Sequence, residues 1–513
     1  MDPRPIMGTE EEIALVARGA GGIRPAPAEL ARAVVEEAAS YLKHLPSPPP
    51  QRRFFLATGG CLYEDLGHAE LATAECTDPV KLAGHRIALR QMLAEAAEMV
   101  GQVYGLEVRA VANNVDYGFG GARTYGHHLN FLVKGVSAER AGEQLAPLLA
   151  VMPIISGTGK MSFAAGSHGF ELSQRAMHFT SLLSQHTTGN SRGMVTLKDE
   201  PLCSNGTRVH VILIDTAMSQ WQLALVPAML CLALGAIEAG QDLAGPVALA
   251  QPVQALQCVS TDPQLATSLG LRNGGTATAL DIHEHYLSVL ERHVTASGGP
   301  SWAREMLGLW AEIVANLRRD SFSEAGRLDW VAKLVLFTQV LQQAGLGWQD
   351  VARWTFVLAS VRRFKATWPE LDPVSLTSSP QVRGQLRRSI LGVLEQHFAR
   401  HGLSWSAFPR IWNAVNLLCE TCLRYHTLGR EPHRAANREA PGPVTREMVD
   451  RARVEPPAGT RAALRGKAIT DAPPGSYAGW DFVQTAGRRF VMADAFGEHA
   501  AWQDVRRPAD KEA

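Results

Sequence analysis

Residues 55–79, FLATGGCLYEDLGHAELATAECTDP, place Asp65 among the carboxylates of Glu64, Glu70 and Glu75 inside otherwise apolar, strand-like segments. A second acidic cluster, Glu10, Glu11 and Glu12, stands near the N-terminus. Residues two apart on a strand share a face, so a strand over residues 6–16 carries Glu10 and Glu12 on one side. Carboxylates gathered on one sheet face repel one another unless cations neutralise them. Hard divalent ions prefer oxygen ligands, and carboxylates lining a sheet hold metal-bound phosphates in this way. The expectation is a face that takes ATP with magnesium.

Working outward, residues 27–45 have helical spacing in Leu30, Val34, Ala38, Tyr41 and Leu42, with PSPPP at 46–50 as the stop. Residues 54–63 read as a strand that delivers Asp65 just past its end. Residues 81–100 form a long amphipathic helix, and 106–113 and 124–133 alternate as strands do. The glycine-rich turn of NNVDYGFGGAR, residues 113–123, lies between those two. RVHVILID at 208–215 is the clearest strand, with Arg208 and His210 on one face.

Beyond it the pattern is helical over 221–239, 278–296, 303–318, 330–344 and 385–401, so a strand-rich half precedes a helical half, an α+β order. A polar, Pro- and Arg-rich passage at 430–459 reads as a linker. Strand-like segments around Trp480 and Phe490 then imply a small C-terminal domain, giving units at 1–430 and 431–513.

At 513 residues, 46% hydrophobic and 19% charged, the chain can bury a large core and more than one domain. Lys plus Arg equal Asp plus Glu at 50 each, which gives no bulk field towards nucleic acid or an anionic membrane. Neither is expected as a partner. Seven cysteines, at 61, 76, 203, 231, 258, 419 and 422, make no disulfide framework and suit the reducing cytoplasm. MDPRPIMGTEEE has no signal-peptide core. The apolar run 223–237, broken by Pro227, falls short of the ~20 residues of a membrane helix and reads as a buried one.

Glu10 and Glu12 on one strand, Tyr63, Asp65, Glu70 and Glu75 near a second, and His128 with Asn130 on a third can converge on one face. Each acidic residue alone fits a solvated strand face as well; the combination does so less readily. Arg192, Lys198, Arg208 and His210 offer positive charge to phosphate oxygens, which guanidinium meets in a bidentate fork. The competing reading of these cations is ion pairing with Asp199 and Glu200. SGTGK at 156–160 is only a fragment of a phosphate loop. Cys419 and Cys422 form a C-x-x-C without a second pair, which favours packing over zinc or redox chemistry. No serine-hydrolase elbow is present, and acidic surroundings disfavour a thiolate at Cys61 or Cys76.

Taken in order, MGTEEE at 7–12, LYEDLGHAELATAEC at 62–76, NNVD at 113–116, YGHHLNFL at 125–132, LSQRA at 172–176, DEP at 199–201, RVHVILID with MS at 208–219, LDWVAKL at 328–334 and TRAALRG at 460–466 resemble the family of Pup ligases and Pup deamidase/depupylases. These are carboxylate–amine ligases related to glutamine synthetase. The resemblance implies a large domain whose curved antiparallel sheet cradles ATP, with helices behind it and a small C-terminal domain alongside. It places Glu10, Glu12, Tyr63, Glu70 and His128 around magnesium and the phosphates, and Arg208 facing the phosphate tail. His210, Asn130, Arg192, Arg461 and Trp480 fall to the nucleotide, and Asp65 is the catalytic carboxylate.

The implied reaction phosphorylates the side-chain carboxylate of a glutamate ending a Pup-like modifier or peptide. A protein lysine or small amine, deprotonated with the help of Asp65, then displaces phosphate to form an isopeptide bond. Hydrolysis of that bond is the second reading, and a nucleotide-binding relative without catalysis the third. The chain departs from the family in His128-Leu129-Asn130, where H-E-N is usual, and in Gln220, where MSE is usual. One helix and a proline stretch between Glu12 and Phe54 favour ligase, as does ATAEC at 72–76. MGTE at 7–10 and the short Asp65 to Glu70 spacing look more like the hydrolases.

Overall fold

A computed structural model describes residues 6–19, 25–117, 123–163, 168–198, 204, 206–367, 372–374, 392–429 and 442–504. The tip of the glycine-rich turn, the DEP motif, residues 385–391 of an expected helix and the first part of the expected linker lie outside the described residues.

The main sheet is built from β1 (Ile6–Arg18), β2 (His44–Pro46), β3 (Arg53–Leu56), β4 (Cys61–Asp65), β5 (His68–Ala72), β6 (Glu107–Val111), β7 (His127–Val133), β8 (Ser181–Ser184), β9 (Gly193–Thr196) and β10 (Thr207–Val211). Its order is β8-β9-β10-β7-β1-β5-β4-β3-β2, with β6 against the far half of β1. The β8–β9 pair is parallel, and the other ladders are antiparallel.

Register turns the alternation of β1 into rows across the front face. Glu10 lies opposite His128 on one side and Ala72 on the other, and the row continues through Cys61, Phe55 and Leu45. The next row is Glu12, Glu70, Tyr63 and Arg53. Asp65 and His68 close the β4–β5 hairpin one row further on. Thr9, Glu11 and Ile13 point to the back, where they are buried.

The single strand expected at 54–63 is instead a hairpin. Gly59 has φ +83°, and a Cβ on Gly60 would stand 2.9 Å from the Ala72 carbonyl oxygen, so the two glycines make a turn that side chains would block. Asp65 is therefore the last residue of β4 and not a loop residue. The strand expected at 208–215 ends at Val211, because Ile212 and Ile214 turn their carbonyls to the buried Arg175 and Asp215 turns its carboxylate to Ser173 and the Thr158 and Gln174 amides. The first helix, Pro27–Ser40, stops before the proline run, since pairing with β3 draws residues 44–46 into the sheet.

Behind the sheet lie Pro27–Ser40 and the long helix Pro79–Tyr104. The latter begins where the Asp78 carboxylate caps the Val80 and Lys81 amides and ends at left-handed Gly105. The helix Gln220–Glu238 is long and apolar enough to cross a membrane by composition alone, yet 83% of its apolar window is buried within the protein. It joins Ala279–Ser297, Ala303–Arg319, Asp329–Gln343 and Phe408–Tyr425 in one core, the helix-rich part of an α+β fold.

At the C-terminus, the helix Arg461–Asp471 accompanies a four-stranded sheet of β11 (Tyr477–Ala478), β12 (Phe482–Thr485), β13 (Arg488–Val491) and β14 (Ala501–Asp504). Ile469, Ala478, Val483 and Met492 share a core with Leu45, Phe55, Cys61 and Ala72. The C-terminal unit thus sits on the front face, over the apolar end of the Glu10 row.

Candidate active site

Glu10 is the hub of the front face. Its Oε2 lies 3.3 Å from His128 Nδ1 and 3.8 Å from His210 Nε2, and its Oε1 lies 3.3 Å from Arg208 Nη2. Burial raises the Glu10 carboxyl, but His128, His210 and Arg208 outweigh it and hold the group far below the usual range. Burial drives the His210 imidazole the other way, well below its ordinary value, despite Glu10. Neither His210 nitrogen has a hydrogen-bond partner. The ligating atoms of Glu10, His128 and His210 lie within 4.8 Å of one another, a spacing one metal ion can span.

Glu12 accepts the Gly126 amide at 2.7 Å and stands 3.4 Å from His68 Nδ1; against the effect of burial, these hold it at about 2. Glu70 behaves oppositely. Burial first, then the charge of Glu10, pushes it well above a normal carboxyl, and Tyr63, its hydrogen-bonded neighbour, is raised for similar reasons. Asp65 is exposed at the rim, raised by partial burial and by Glu12 and Glu64.

Towards the start of β1 a pocket opens beside Glu10, lined by Gly8, Asn130, Arg208, Arg461 and Trp480 among others. Arg208 Nε donates to Asn130 Oδ1 at 2.7 Å, which fixes the guanidinium at its wall. Arg461 reaches that pocket with its Nε already given to Glu75 at 2.7 Å. Arg192 stands apart, beyond Glu12, donating to Thr124 Oγ1 at 2.8 Å.

Several expectations change. Glu75 belongs to no acidic metal face: Arg461 and Arg465 neutralise it, as Arg86 and Arg90 neutralise Glu11 on the back. Glu64 turns away from the front, towards the Gly67 amide and Arg32. His210, expected at the nucleotide, lies with the metal-type cluster. The SGTGK turn is structural, because a Cβ on Gly157 would stand 2.4 Å from the Pro153 carbonyl oxygen and Lys160 pairs with buried Glu171 at 3.0 Å. Cys422 is packed among Tyr117, Asn113 and Lys333. Sequence reasoning passed over His68 and Arg175; the position of His68 opposite Asp65 could have been read from the short hairpin, whereas Arg175 is tied to backbone carbonyls that no side-chain pattern reveals.

The sequence profile of the Pup-ligase protein family matches residues 6–390. The chain belongs to the Pup-ligase family. A Pup–protein ligase of Acidimicrobium ferrooxidans is 30% identical over 91% of this chain and 89% of its own length. A Pup deamidase/depupylase of Mycolicibacterium smegmatis is 33% identical, over 57% of this chain and 59% of its own. The fold is that of the Pup ligase PafA: its complex with Pup matches with a TM-score of 0.71 at 23% identity, over 96% of this chain and 90% of that one, and its ADP complex with 0.65 at 22%, over 93% and 92%. The chain is thus an enzyme of the ligase class with the α+β fold of that family, and its similarity to a ligase runs further along the sequence than its similarity to the hydrolase.

Against this Pup-ligase frame, the H-E-N departure loses its force at the metal-type cluster. Leu129 is 1% exposed on the back of β7, in the apolar core, so the exchange alters packing behind the sheet while His128 and Asn130 keep the front. Gln220 accepts a hydrogen bond from the Val444 amide at 3.3 Å.

Proposed function

We propose that this Pup-ligase family member uses ATP and magnesium to join the side-chain carboxylate of a glutamate ending a Pup-like modifier to a lysine amine, through an acyl phosphate. The observation that carries the reading is the row order of the front face: the pocket beside Arg208 and Trp480, the ionised Glu10 hub, Glu12 and Glu70, then Asp65 at the rim.

The donor set suits a hard cation. Three carboxylates and the Tyr63 oxygen supply the ligands magnesium prefers, His210 Nε2, without a hydrogen-bond partner, faces the same hub, and a cation would offset the burial and the Glu10 charge that raise the Glu70 carboxyl. Glu10, Glu12, Glu70, Tyr63 and His128, with His210, would hold it, and when bound it supplies positive charge to the phosphate oxygens. Arg208, fixed by Asn130, meets the phosphate tail in the same sense, and Trp480 and Arg461 line the far end where a base would rest.

Transfer of the γ-phosphoryl group to the glutamate side chain releases ADP and leaves an acyl phosphate, which carries the leaving group a bare carboxylate lacks. The lysine nitrogen attacks the acyl carbon, phosphate departs with the bonding pair, and Asp65 takes the ammonium proton. A raised pKa suits Asp65 to that task better than a fully solvated aspartate. Residues 431–513, linker and small C-terminal domain, would cap the nucleotide end of the catalytic unit at 1–430. A cytoplasmic enzyme is the reading that the cysteine pattern supports, and the six described cysteines are all free.

The test is incubation with ATP, magnesium chloride, a glutamate-ending Pup-like modifier and a lysine-bearing acceptor, followed by intact-mass measurement. Acceptor plus modifier less one water, with ADP formed in step, is the expected product. Release of modifier from a preformed conjugate without ADP would replace ligation by the depupylase reading, which the similarity to the Mycolicibacterium smegmatis enzyme keeps second.

A further inference from the structure

Among the described residues, Leu66 at φ +49° and Leu265 at φ +57° have left-handed backbone without being glycine. A leucine at such an angle is strained, because its Cβ crowds the following carbonyl oxygen. For Leu265 burial offsets the strain: it is 5% exposed and packed in the main apolar core. Leu66 has no such offset. It is 79% exposed and belongs to no apolar cluster of the described residues, so packing within the chain does not account for a leucine there. Strain that the fold leaves uncompensated collects at functional positions, where the compensating contact is made with a ligand.

The turn around Leu66 is braced from behind. The Gly67 amide donates to Glu64 Oε1 at 2.9 Å, Glu64 stands 3.9 Å from Arg32 on the first helix, and a Cβ on Gly67 would lie 3.4 Å from Pro27 Cβ. The bracing leaves the Leu66 side chain in solvent. Directly before it is Asp65, with its Cα about 3.8 Å away across the peptide bond. Opposite Asp65 in the hairpin is His68, set edge to face against Tyr125 with ring centres 4.5 Å apart and with Nδ1 3.4 Å from Glu12. The rim thus joins one exposed apolar side chain to three carboxylates, those of Glu12, Glu64 and Asp65.

Charge selects what meets this rim. An activated glutamate and its phosphate carry negative charge, which the carboxylates repel, whereas an ammonium is drawn to them. Lysine carries its ammonium on four methylenes, and such stems lie along apolar surface while the head keeps to a polar partner. We propose that Leu66 is a specificity residue for the amine, its side chain meeting the methylene stem of the acceptor lysine while Asp65 meets the ammonium. The assignment rests on the ligase reading and adds its choice of nucleophile: the stem contact favours lysine over amines that have no stem.

The test compares a lysine-bearing peptide with hydroxylamine, an amine without carbon, as acceptors for wild type, Leu66→Asn and Leu66→Met, with KM for the modifier measured separately. Asparagine suits the turn, so Leu66→Asn stays folded and its losses belong to the contact. It should raise KM for the lysine peptide roughly 3- to 10-fold, the scale of burying a methylene group or two. Its kcat with that peptide, both constants for hydroxylamine and KM for the modifier should stay as in wild type, and Leu66→Met should recover most of the loss. An unchanged KM for the lysine peptide in Leu66→Asn would overturn the proposal. So would equal slowing with both acceptors, which assigns Leu66 to the placement of Asp65, or a rise in KM for the modifier, which assigns it to the other substrate. A wild type that ligates neither amine overturns the ligase reading itself.

Discussion

Arg465 Nη2 lies 2.6 Å from Glu75 Oε2, and this contact fastens the C-terminal unit to the catalytic sheet. Its Nη1 meanwhile donates to the Trp480 carbonyl at 2.6 Å, so the same guanidinium sets the wall of the pocket beside Glu10. Replacing Glu75 by Gln strands two buried guanidiniums. The expected loss is about 3 kcal/mol of stability, the scale of a buried pair broken on one side, with weaker ATP binding beside it. Urea denaturation and nucleotide calorimetry check both.

Acid should act on the same joint. Burial raises the Glu75 carboxyl, but Arg465 and Arg461 overrule it and hold it at about 2, against 4.5 when unfolded. A carboxyl depressed in the folded state contributes fully above its unfolded value, and that contribution is lost as pH falls from about 4.5 towards 2. The contribution is on the order of 3 kcal/mol. Trp480 fluorescence should report undocking in this window in wild type, and Glu75→Gln should lack the transition.

Asp65→Asn should abolish conjugate formation while leaving nucleotide affinity within about twofold, since Asp65 lies outside the pocket lined by Arg208 and Trp480. In wild type the base works ionised. Its pKa is raised above 3.8, so the acid limb of the rate profile should fall at a pH above that of an ordinary aspartate. Undiminished turnover in the variant would remove Asp65 from the mechanism.

The turn beside Asp65 carries a removable strain. Leu66 has φ +49° and is 79% exposed, followed by Gly67 at φ +88°, a two-residue hairpin with both residues left-handed. Asn-Gly fits such turns and leucine does not. Leu66→Asn should raise stability by about 1 kcal/mol, seen as a higher Tm.

Divalent cation should stabilise the protein through Glu10. Magnesium with ATP is expected to raise Tm by several degrees in wild type, roughly the effect of a ligand at a hundred times its Kd. EDTA should reverse the rise, and Glu10→Ala should not show it.

The front face was legible because strand alternation is local: Glu10 with Glu12, and Arg208 with His210, follow from a period of two. The turn at Gly59 and Gly60 was hidden, since its cause is the Ala72 carbonyl of another strand. The partners of Glu75 were hidden as well, standing almost 400 residues away at 461 and 465. Counting acids in one segment overstated its unbalanced charge, because neutralising groups arrive through tertiary structure. Asp65 and Arg208 stand in motifs visible in the sequence; the grouping of His210 with Glu10 and His128 needed three strands in register.

Glu11, between two acids that face forward, is clamped from behind by Arg86 and Arg90. Sliding β1 by one residue would drive Glu10 and Glu12 into the hydrocarbon interior and strand both of those arginines. The misaligned alternative is therefore ruled out energetically before any small molecule arrives. The spacing on which turnover depends is written into assembly of the chain, and substrate need not organise it.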